Sequence, residues 1–265
     1  MQKLINIMLL LFLSILLCSC SSNQETLKKG ISGKNVDITV SAAASLADVL
    51  NEIKSNYEKE NPNTHILLNL GGSGALQQQI IQGAPADLFI SAAKKQFDEL
   101  VQKGLIEKKE STILLSNKLV LITSKANPLM INSFNDLTKN QVKEIAIGTV
   151  ETVPAGMYTK QTLTGLNLWN TLQKKLVPAK DVRQVLTYVE TGSADAGMVY
   201  LTDAKISDKV KIVAMANEKL HSPILYPAGV IKTSTHRKEV LQFFHYLKGK
   251  QAKRSFEKFG FKALD

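Results

Sequence analysis

Along the chain, segments in which every second side chain is apolar alternate with segments in which apolar side chains recur every three or four residues. Residues 36–40 (VDITV) alternate apolar with polar side chains, which is typical of a half-buried β-strand. Residues 46–57 then place apolar side chains three or four positions apart, which predicts one buried stripe of an α-helix. Ser45 directly precedes that stripe and Asp48 follows three residues later, so the pattern predicts a capping box at the start of the helix.

The same alternation continues along the chain. Further apolar runs of strand length lie at residues 66–70, 88–90, 119–123, 144–148, 196–200 and 210–214. Helical patterns lie between and after them at residues 75–82, 94–103, 134–139, 155–163, 182–190 and 239–247. Strands that alternate with helices predict an α/β fold with parallel sheets covered by helices on both faces.

The pattern also suggests where the chain divides. The best candidate boundaries lie near Asn117 and near Tyr226. A chain that crosses at both places would build lobe I from two separated segments, residues 36–117 and 226–265, and lobe II from residues 118–225.

The amino terminus has a different character. Lys3 precedes an apolar run at residues 7–17, which is too short to span a bilayer as a helix but suits a signal peptide. The following sequence, LCSC at residues 17–20, resembles a bacterial lipobox, in which cleavage precedes a cysteine that is then lipidated. We therefore expect a lipoprotein signal peptide at residues 1–19, lipidation of Cys20 and a flexible tether at residues 20–35.

The protein would then be extracytoplasmic and lipid-anchored to the cell membrane, on the periplasmic side or at the cell surface. The alternative is a plain secretory signal.

Composition narrows the possible functions. The chain has 265 residues, of which 44% are hydrophobic and 21% charged, and this excludes a disordered or low-complexity protein. Two cysteines are too few for a disulfide framework or a cysteine-based zinc site. The net charge of +10 would suit a nucleic-acid-binding protein, but no stacking aromatic platform or nucleic-acid motif accompanies the basic residues. We therefore predict no nucleic-acid partner.

Several predicted helices begin where a strand has just ended. Ser45 and Ser73 both follow strands, Pro154 opens a third helix, and Asp181 opens a fourth. In open α/β sheets the ligand crevice lies at the carboxyl ends of strands, and each helix N-terminus there offers free N–H groups and a positive dipole end. The pattern indicates an anion site built from uncharged donors.

Five segments make a family resemblance specific. They are AAASL at residues 42–46, GAPADLFISA at 83–92, VPAGMY at 153–158, PAKDVR at 178–183 and GMVY at 197–200. In this order they resemble the molybdate-binding proteins of ABC transporters, and the likeness extends from about residue 36 to the C-terminus. The resemblance implies a two-lobe periplasmic-binding-protein fold of type II, with mixed sheets flanked by helices and a crossing hinge.

The family's oxyanion site transfers to this sequence residue by residue. The resemblance assigns hydroxyl donors to Ser45, Ser73 and Tyr200, and backbone N–H donors to Ala155 and Val182. The loop around Ser73 departs from the pattern, because it carries one serine between two glycines where relatives are often serine-rich.

The resemblance implies high-affinity binding of molybdate, and of tungstate with it, followed by delivery to the permease subunits of an ABC transporter. The metal would be held through its oxygens, with no direct protein ligand to the metal and no cofactor. We expect a monomer without enzymatic activity. The alternative ligand is another tetrahedral oxyanion such as sulfate or thiosulfate.

A secreted serine hydrolase is the alternative from a different class. The sequence GGSGA at residues 71–75 narrowly misses the nucleophile elbow G-x-S-x-G. The four histidines are scattered and none has a recognisable partner that could activate the serine, which argues against this interpretation.

Overall fold

The computed structural model describes residues 35–264. The predicted signal peptide, Cys20 and residues 21–34 of the predicted tether lie outside the described residues. Within the described part of the chain, no helix combines the length and the apolar character that a bilayer crossing requires.

The described residues form two mixed β-sheets flanked by helices. The first sheet has the strand order β11-β4-β10-β3-β1-β2, and the second has the order β7-β6-β8-β5-β9. The strands are β1 Val36–Ala43, β2 Thr64–Gly71, β3 Leu88–Ile90, β4 Ile106–Ser116, β5 Leu119–Ser124, β6 Ile145–Gly148, β7 Leu176–Ala179, β8 Ala196–Tyr200, β9 Val210–Met215, β10 Leu225–Ile231 and β11 Lys262–Ala263.

Helices connect most of these strands. The α-helices are α1 Ala47–Glu60, α2 Ser73–Ile81, α3 Lys94–Gln102, α4 Pro154–Gly165, α5 Trp169–Leu172, α6 Val182–Glu190, α7 Leu201–Lys205, α8 Arg237–Lys248 and α9 Lys250–Lys258. Short 3-10 turns lie at Ala44–Leu46, Asn135–Thr138, Gln173–Lys175 and Glu218–Leu220.

The sheets are mixed, as the family resemblance implies, and not parallel throughout, as the alternation of strands and helices by itself suggests. Strand β1 pairs in parallel with β2 and β3, and β6 pairs in parallel with β7 and β8. However, β10 runs antiparallel to β3 and β4, and β5 runs antiparallel to β8 and β9. Strands β5 and β10 are the first strands after the chain passes from one sheet to the other, so no crossover helix within a single sheet sets their direction.

The strand assignment accounts for the two crossings. The first sheet takes its strands from residues 36–116 and 225–263, whereas the second takes its strands from residues 119–215. The exact limits of lobe I and lobe II stay a prediction.

Four strands, β4, β7, β10 and β11, and three helices, α5, α7 and α9, lie outside the ranges that the hydrophobic pattern predicts. Strand β4 carries the polar run EKKEST in its first half, and β10 contains Pro227 and Gly229, which are depleted in strands. The short β7 contains Pro178, and α9 consists mainly of charged and polar residues, with Ala252 and Phe256 as its buried apolar side chains. The helix predicted at residues 134–139 is a 3-10 turn, Asn135–Thr138.

Strand order determines which strand ends lie together in the first sheet. In the first sheet β1 lies between β2 and β3, and Ile38, Val40 and Ala42 on β1 are fully buried. Because β1 and β2 are parallel, their carboxyl ends at Ala43 and Gly71 lie side by side. The two following segments, which carry Ser45 and Ser73, therefore start at the same edge.

Candidate ligand-binding site

The structure brings the five predicted site residues together around one small cavity. Ser45 and Ser73 come from lobe I, and Ala155, Val182 and Tyr200 come from lobe II. The cavity therefore lies between the two sheets. That these residues bind a ligand stays a prediction.

Ser45 reaches the cavity by a route that the capping-box prediction missed. It lies in the middle of the 3-10 turn Ala44–Leu46, and the N-cap of α1 is Leu46, without a side-chain cap hydrogen bond. The capping-box prediction is wrong because this turn separates the end of β1 from the start of α1. The Ser45 hydroxyl instead lies 3.0 Å from the hydroxyl of Tyr226.

A short chain of hydrogen bonds orients the Ser45 hydroxyl. The Asn117 side-chain amide donates to the Tyr226 hydroxyl oxygen over 3.3 Å. Burial raises the pKa of Tyr226 well above its ordinary value, so the phenol keeps its proton. With its oxygen accepting from Asn117, Tyr226 can direct that proton to Ser45 Oγ. The hydrogen of Ser45 is then free to point into the cavity.

Ser73 is set up as a donor in a similar way. It is the first residue of α2, after the N-cap Gly72, and it is fully buried. Its hydroxyl oxygen accepts a hydrogen bond from the backbone N–H of Ala92 over 3.0 Å. Since the oxygen is engaged by a backbone amide, the Ser73 hydrogen remains available for a ligand, and the group is not activated as a nucleophile.

Two helix N-termini line the wall of the cavity opposite Ser45 and Ser73. Ala155 is the second residue of α4, directly after Pro154, and Val182 is the first residue of α6. The first N–H groups of a helix lack intrahelical acceptors and lie at its positive dipole end. The carboxylate of Asp181, the N-cap of α6, accepts from the backbone N–H of Gln184 over 2.9 Å. This hydrogen bond does not involve the backbone N–H of Val182.

Tyr200 contributes an unpaired hydroxyl. It is the last residue of β8 and 1% exposed, and its hydroxyl has no hydrogen-bond partner among the residues that the structure describes. Burial raises the pKa of Tyr200 well above its ordinary value, so the group is a neutral donor. An unsatisfied buried hydroxyl costs about 1–3 kcal/mol.

The lobes touch directly beside the cavity. The backbone N–H of Gly74 in α2 donates to the carbonyl of Thr152 over 2.8 Å. The Tyr158 hydroxyl in α4 donates to the carbonyl of Ala92 over 3.3 Å. The structure is therefore a closed arrangement at the cleft.

Three charged residues near the cavity form ion pairs that the sequence did not indicate. The guanidinium of Arg183 is ion-paired with Asp48, and its Nε lies 2.9 Å from Oδ1 of the fully buried Asp203. Burial, partly offset by Arg183, raises the pKa of Asp203 to about 6. The only sequence signal for Asp203 is its place as a lone acid in the otherwise uncharged residues 196–204.

Metal ligation by side chains has no candidate in the described part of the chain, where no three His, Cys, Asp or Glu residues are grouped to hold an ion. The cavity offers hydroxyl and N–H donors instead. Such a wall suits the oxygens of an anion.

Comparison with known proteins assigns the chain to one family. Residues 38–262 match the model of the bacterial extracellular solute-binding proteins. The chain is 51% identical over 249 residues to YvgL of Bacillus subtilis, which is provisionally named an ABC transporter substrate-binding lipoprotein, with 94% of each chain covered. It is 40% identical over 228 residues to the molybdate-binding protein ModA of Escherichia coli, covering 84% of this chain and 88% of ModA.

Solved structures share the architecture. The periplasmic molybdate-binding protein of Azotobacter vinelandii matches with a TM-score of 0.77 and 25% identity, over 86% of this chain and all of that one. The sulfate-binding protein SubI of Mycobacterium tuberculosis matches with a TM-score of 0.75 and 18% identity, over 87% of this chain and 88% of that one, and this likeness concerns the fold alone. The expected two-lobe fold is confirmed.

Proposed function

The chain belongs to the family of bacterial extracellular solute-binding proteins, which are not enzymes, and from this premise we propose that it binds molybdate, and tungstate with it, for an ABC transporter. It would deliver the oxyanion to the permease subunits for import. Its Cys20 would carry the lipid that anchors it to the outer face of the cell membrane, as the name of YvgL suggests for that relative.

The observation that carries the proposal is the unpaired hydroxyl of Tyr200. This buried donor lines the same cavity as Ser45, Ser73 and the N-termini of α4 and α6. Five donors that converge on one small space call for a ligand with several acceptor oxygens. A tetrahedral oxyanion presents four such oxygens.

Charge strengthens the case for an anion held by neutral groups. Hydrogen bonds to an ionised acceptor are about twice as strong as bonds between neutral groups. A dianion buried without them would lose its hydration at a prohibitive cost. Arg183 is nearby, but its guanidinium is committed to Asp48 and Asp203. We infer that domain closure and neutral donors hold the ligand, and that reopening releases it.

Donor polarity and size would select among oxyanions. Monohydrogen phosphate carries an O–H that needs an acceptor, and the wall offers donors, so we expect it to bind weakly. Sulfate has the same charge and shape as molybdate, so only its smaller size would exclude it. The E. coli relative named for molybdate favours molybdate over sulfate as the ligand of this chain.

Isothermal titration of the full-length protein with molybdate, tungstate, sulfate and phosphate tests the proposal. We expect molybdate and tungstate to bind tightly and to raise the melting temperature, whereas sulfate at equal concentration does neither. Sulfate that matches molybdate would overturn the size argument and favour the alternative ligand. Absence of binding by all four anions would overturn the proposed function.

A further inference from the structure

We propose that Arg183 is a positioning residue that holds the two lobes closed around the ligand, although it does not bind the ligand itself. This proposal rests on the proposed function. It is carried by the two carboxylates that the Arg183 guanidinium contacts, one on each side of the cleft.

The ion pair of Arg183 with Asp48 crosses the cleft. Arg183 is the second residue of α6, a helix that packs on β6 and β8 of the second sheet. Asp48 lies in the first turn of α1, which packs against β2 of the first sheet. The two residues lie on helices that pack on different sheets, so their contact joins the two sides of the cleft.

Asp203 orients the Arg183 guanidinium for its contact with Asp48. It lies on the same side as Arg183, in α7, and is fully buried. One carboxylate oxygen lies 2.9 Å from Arg183 Nε, and the other accepts from the backbone N–H of Tyr200 over 3.3 Å. A side chain fixed at one end loses less conformational freedom when its other end forms an ion pair.

The ion pairs of Arg183 are linked through the backbone to two of the proposed ligand donors. Arg183 follows Val182 directly in the chain, and Asp203 accepts from the backbone of Tyr200. When Asp48 engages Arg183, the N-terminus of α6 and the end of β8 are held against lobe I. Arg183 also compensates the negative charge of the buried Asp203.

Dissociation of ⁹⁹Mo-labelled molybdate from the full-length protein, chased with unlabelled molybdate, tests the proposal. Asp48→Asn removes the charge that lies across the cleft and leaves Arg183 and Asp203 in place. We expect its dissociation rate to rise at least fivefold, and Asp48→Glu to restore slow release. The matched control is Glu110→Gln, which breaks an arginine–carboxylate pair with Arg237 inside lobe I and should leave the rate within twofold of wild type.

Melting of the ligand-free variants separates a closing role from a general structural one. Asp48 is partly exposed, so we expect Asp48→Asn to melt within about 2 °C of wild type without ligand, because exposed ion pairs contribute little. Unchanged release from Asp48→Asn, or equally faster release from Glu110→Gln, overturns the proposal. Wild-type protein that retains no labelled molybdate overturns the proposed function, and this proposal falls with it.

Discussion

The hydroxyl oxygens of Ser45 and Tyr226 lie 3.0 Å apart beside the cavity, although 181 positions separate the two residues in the chain. Tyr226 lies on β10, the strand on which the chain returns from the second sheet to the first. Asn117, which donates to Tyr226, lies at the outward crossing between β4 and β5. The return crossing therefore contacts the hydroxyl that we propose as a ligand donor, and the outward crossing acts on it through Tyr226, so the hinge helps to set the polarity of the site.

Ser45→Ala should weaken molybdate binding by about 1.5–3 kcal/mol, the contribution of a hydrogen bond to a charged group. Tyr226→Phe leaves the Ser45 hydroxyl in place and removes only the group that orients it, so we expect a smaller loss. Isothermal titration of both variants measures the two effects. Wild-type affinity in Ser45→Ala would mean that the site is misplaced, and a larger loss in Tyr226→Phe than in Ser45→Ala would contradict the orienting role.

Tyr200→Phe should separate ligand affinity from stability. The Tyr200 hydroxyl has no partner among the described residues, so its removal relieves an unsatisfied buried donor and should leave the ligand-free melting temperature unchanged or higher. Molybdate binding should fall roughly ten- to hundredfold, because one charge-assisted bond is lost. Thermal melts with and without molybdate measure both quantities. A lower melting temperature without ligand, together with unchanged affinity, would show that Tyr200 serves the fold and not the ligand.

Asp203 should make the ligand-free protein more stable on mild acidification. Its pKa is raised by burial from 3.8 to about 6, so the folded state binds a proton more tightly than the unfolded state. The contribution of this group to the free energy of unfolding is therefore highest below about pH 4 and falls as the pH rises to about 6. A shift of about two pKa units corresponds to about 3 kcal/mol.

The comparison of wild type with Asp203→Asn isolates this contribution from the other carboxylates. Between pH 7 and pH 4, urea unfolding should show wild type gaining about 3 kcal/mol relative to the variant. Asp48, Asp181 and Arg183 face the same carboxylate, and they are unchanged in both proteins. A stability difference that does not vary over this range would contradict the raised pKa.

Local patterns predicted most regular elements of the fold but not the partners of its polar groups. Hydrophobic periodicity sees only neighbours along the chain, so it found α1 and β1 but assigned Ser45 and Asp48 to each other as a capping box. In the structure Ser45 contacts Tyr226 and Asp48 pairs with Arg183. Both partners are more than one hundred positions away, and only the tertiary fold brings them near.

The five candidate site residues came from the family resemblance together with the helix-start pattern. Pro154 at the first position of α4 and Asp181 as the N-cap of α6 are both confirmed, because these signals depend on the helix alone. The burial of Asp203 had no comparable local signal. Its environment depends on Arg183 and on the packing of α7 against neighbouring elements, which periodicity does not report.

Gly74→Ala should prevent the lobes from closing while leaving each of them folded. A Cβ atom at Gly74 would lie 2.8 Å from both the Cα and the carbonyl oxygen of Thr152, and this backbone cannot yield as a flexible side chain can. Alanine favours a helix by about 1 kcal/mol relative to glycine, so the ligand-free protein should not be destabilised at this position in α2. We expect molybdate affinity to fall more than tenfold with an unchanged or higher melting temperature. Gln78→Ala is the control, because Gln78 is an exposed residue of the same helix that does not line the cavity, and its affinity should stay within twofold of wild type. Isothermal titration of the two variants gives the comparison, and wild-type affinity in Gly74→Ala would show that ligand binding does not require the close contact between α2 and Thr152.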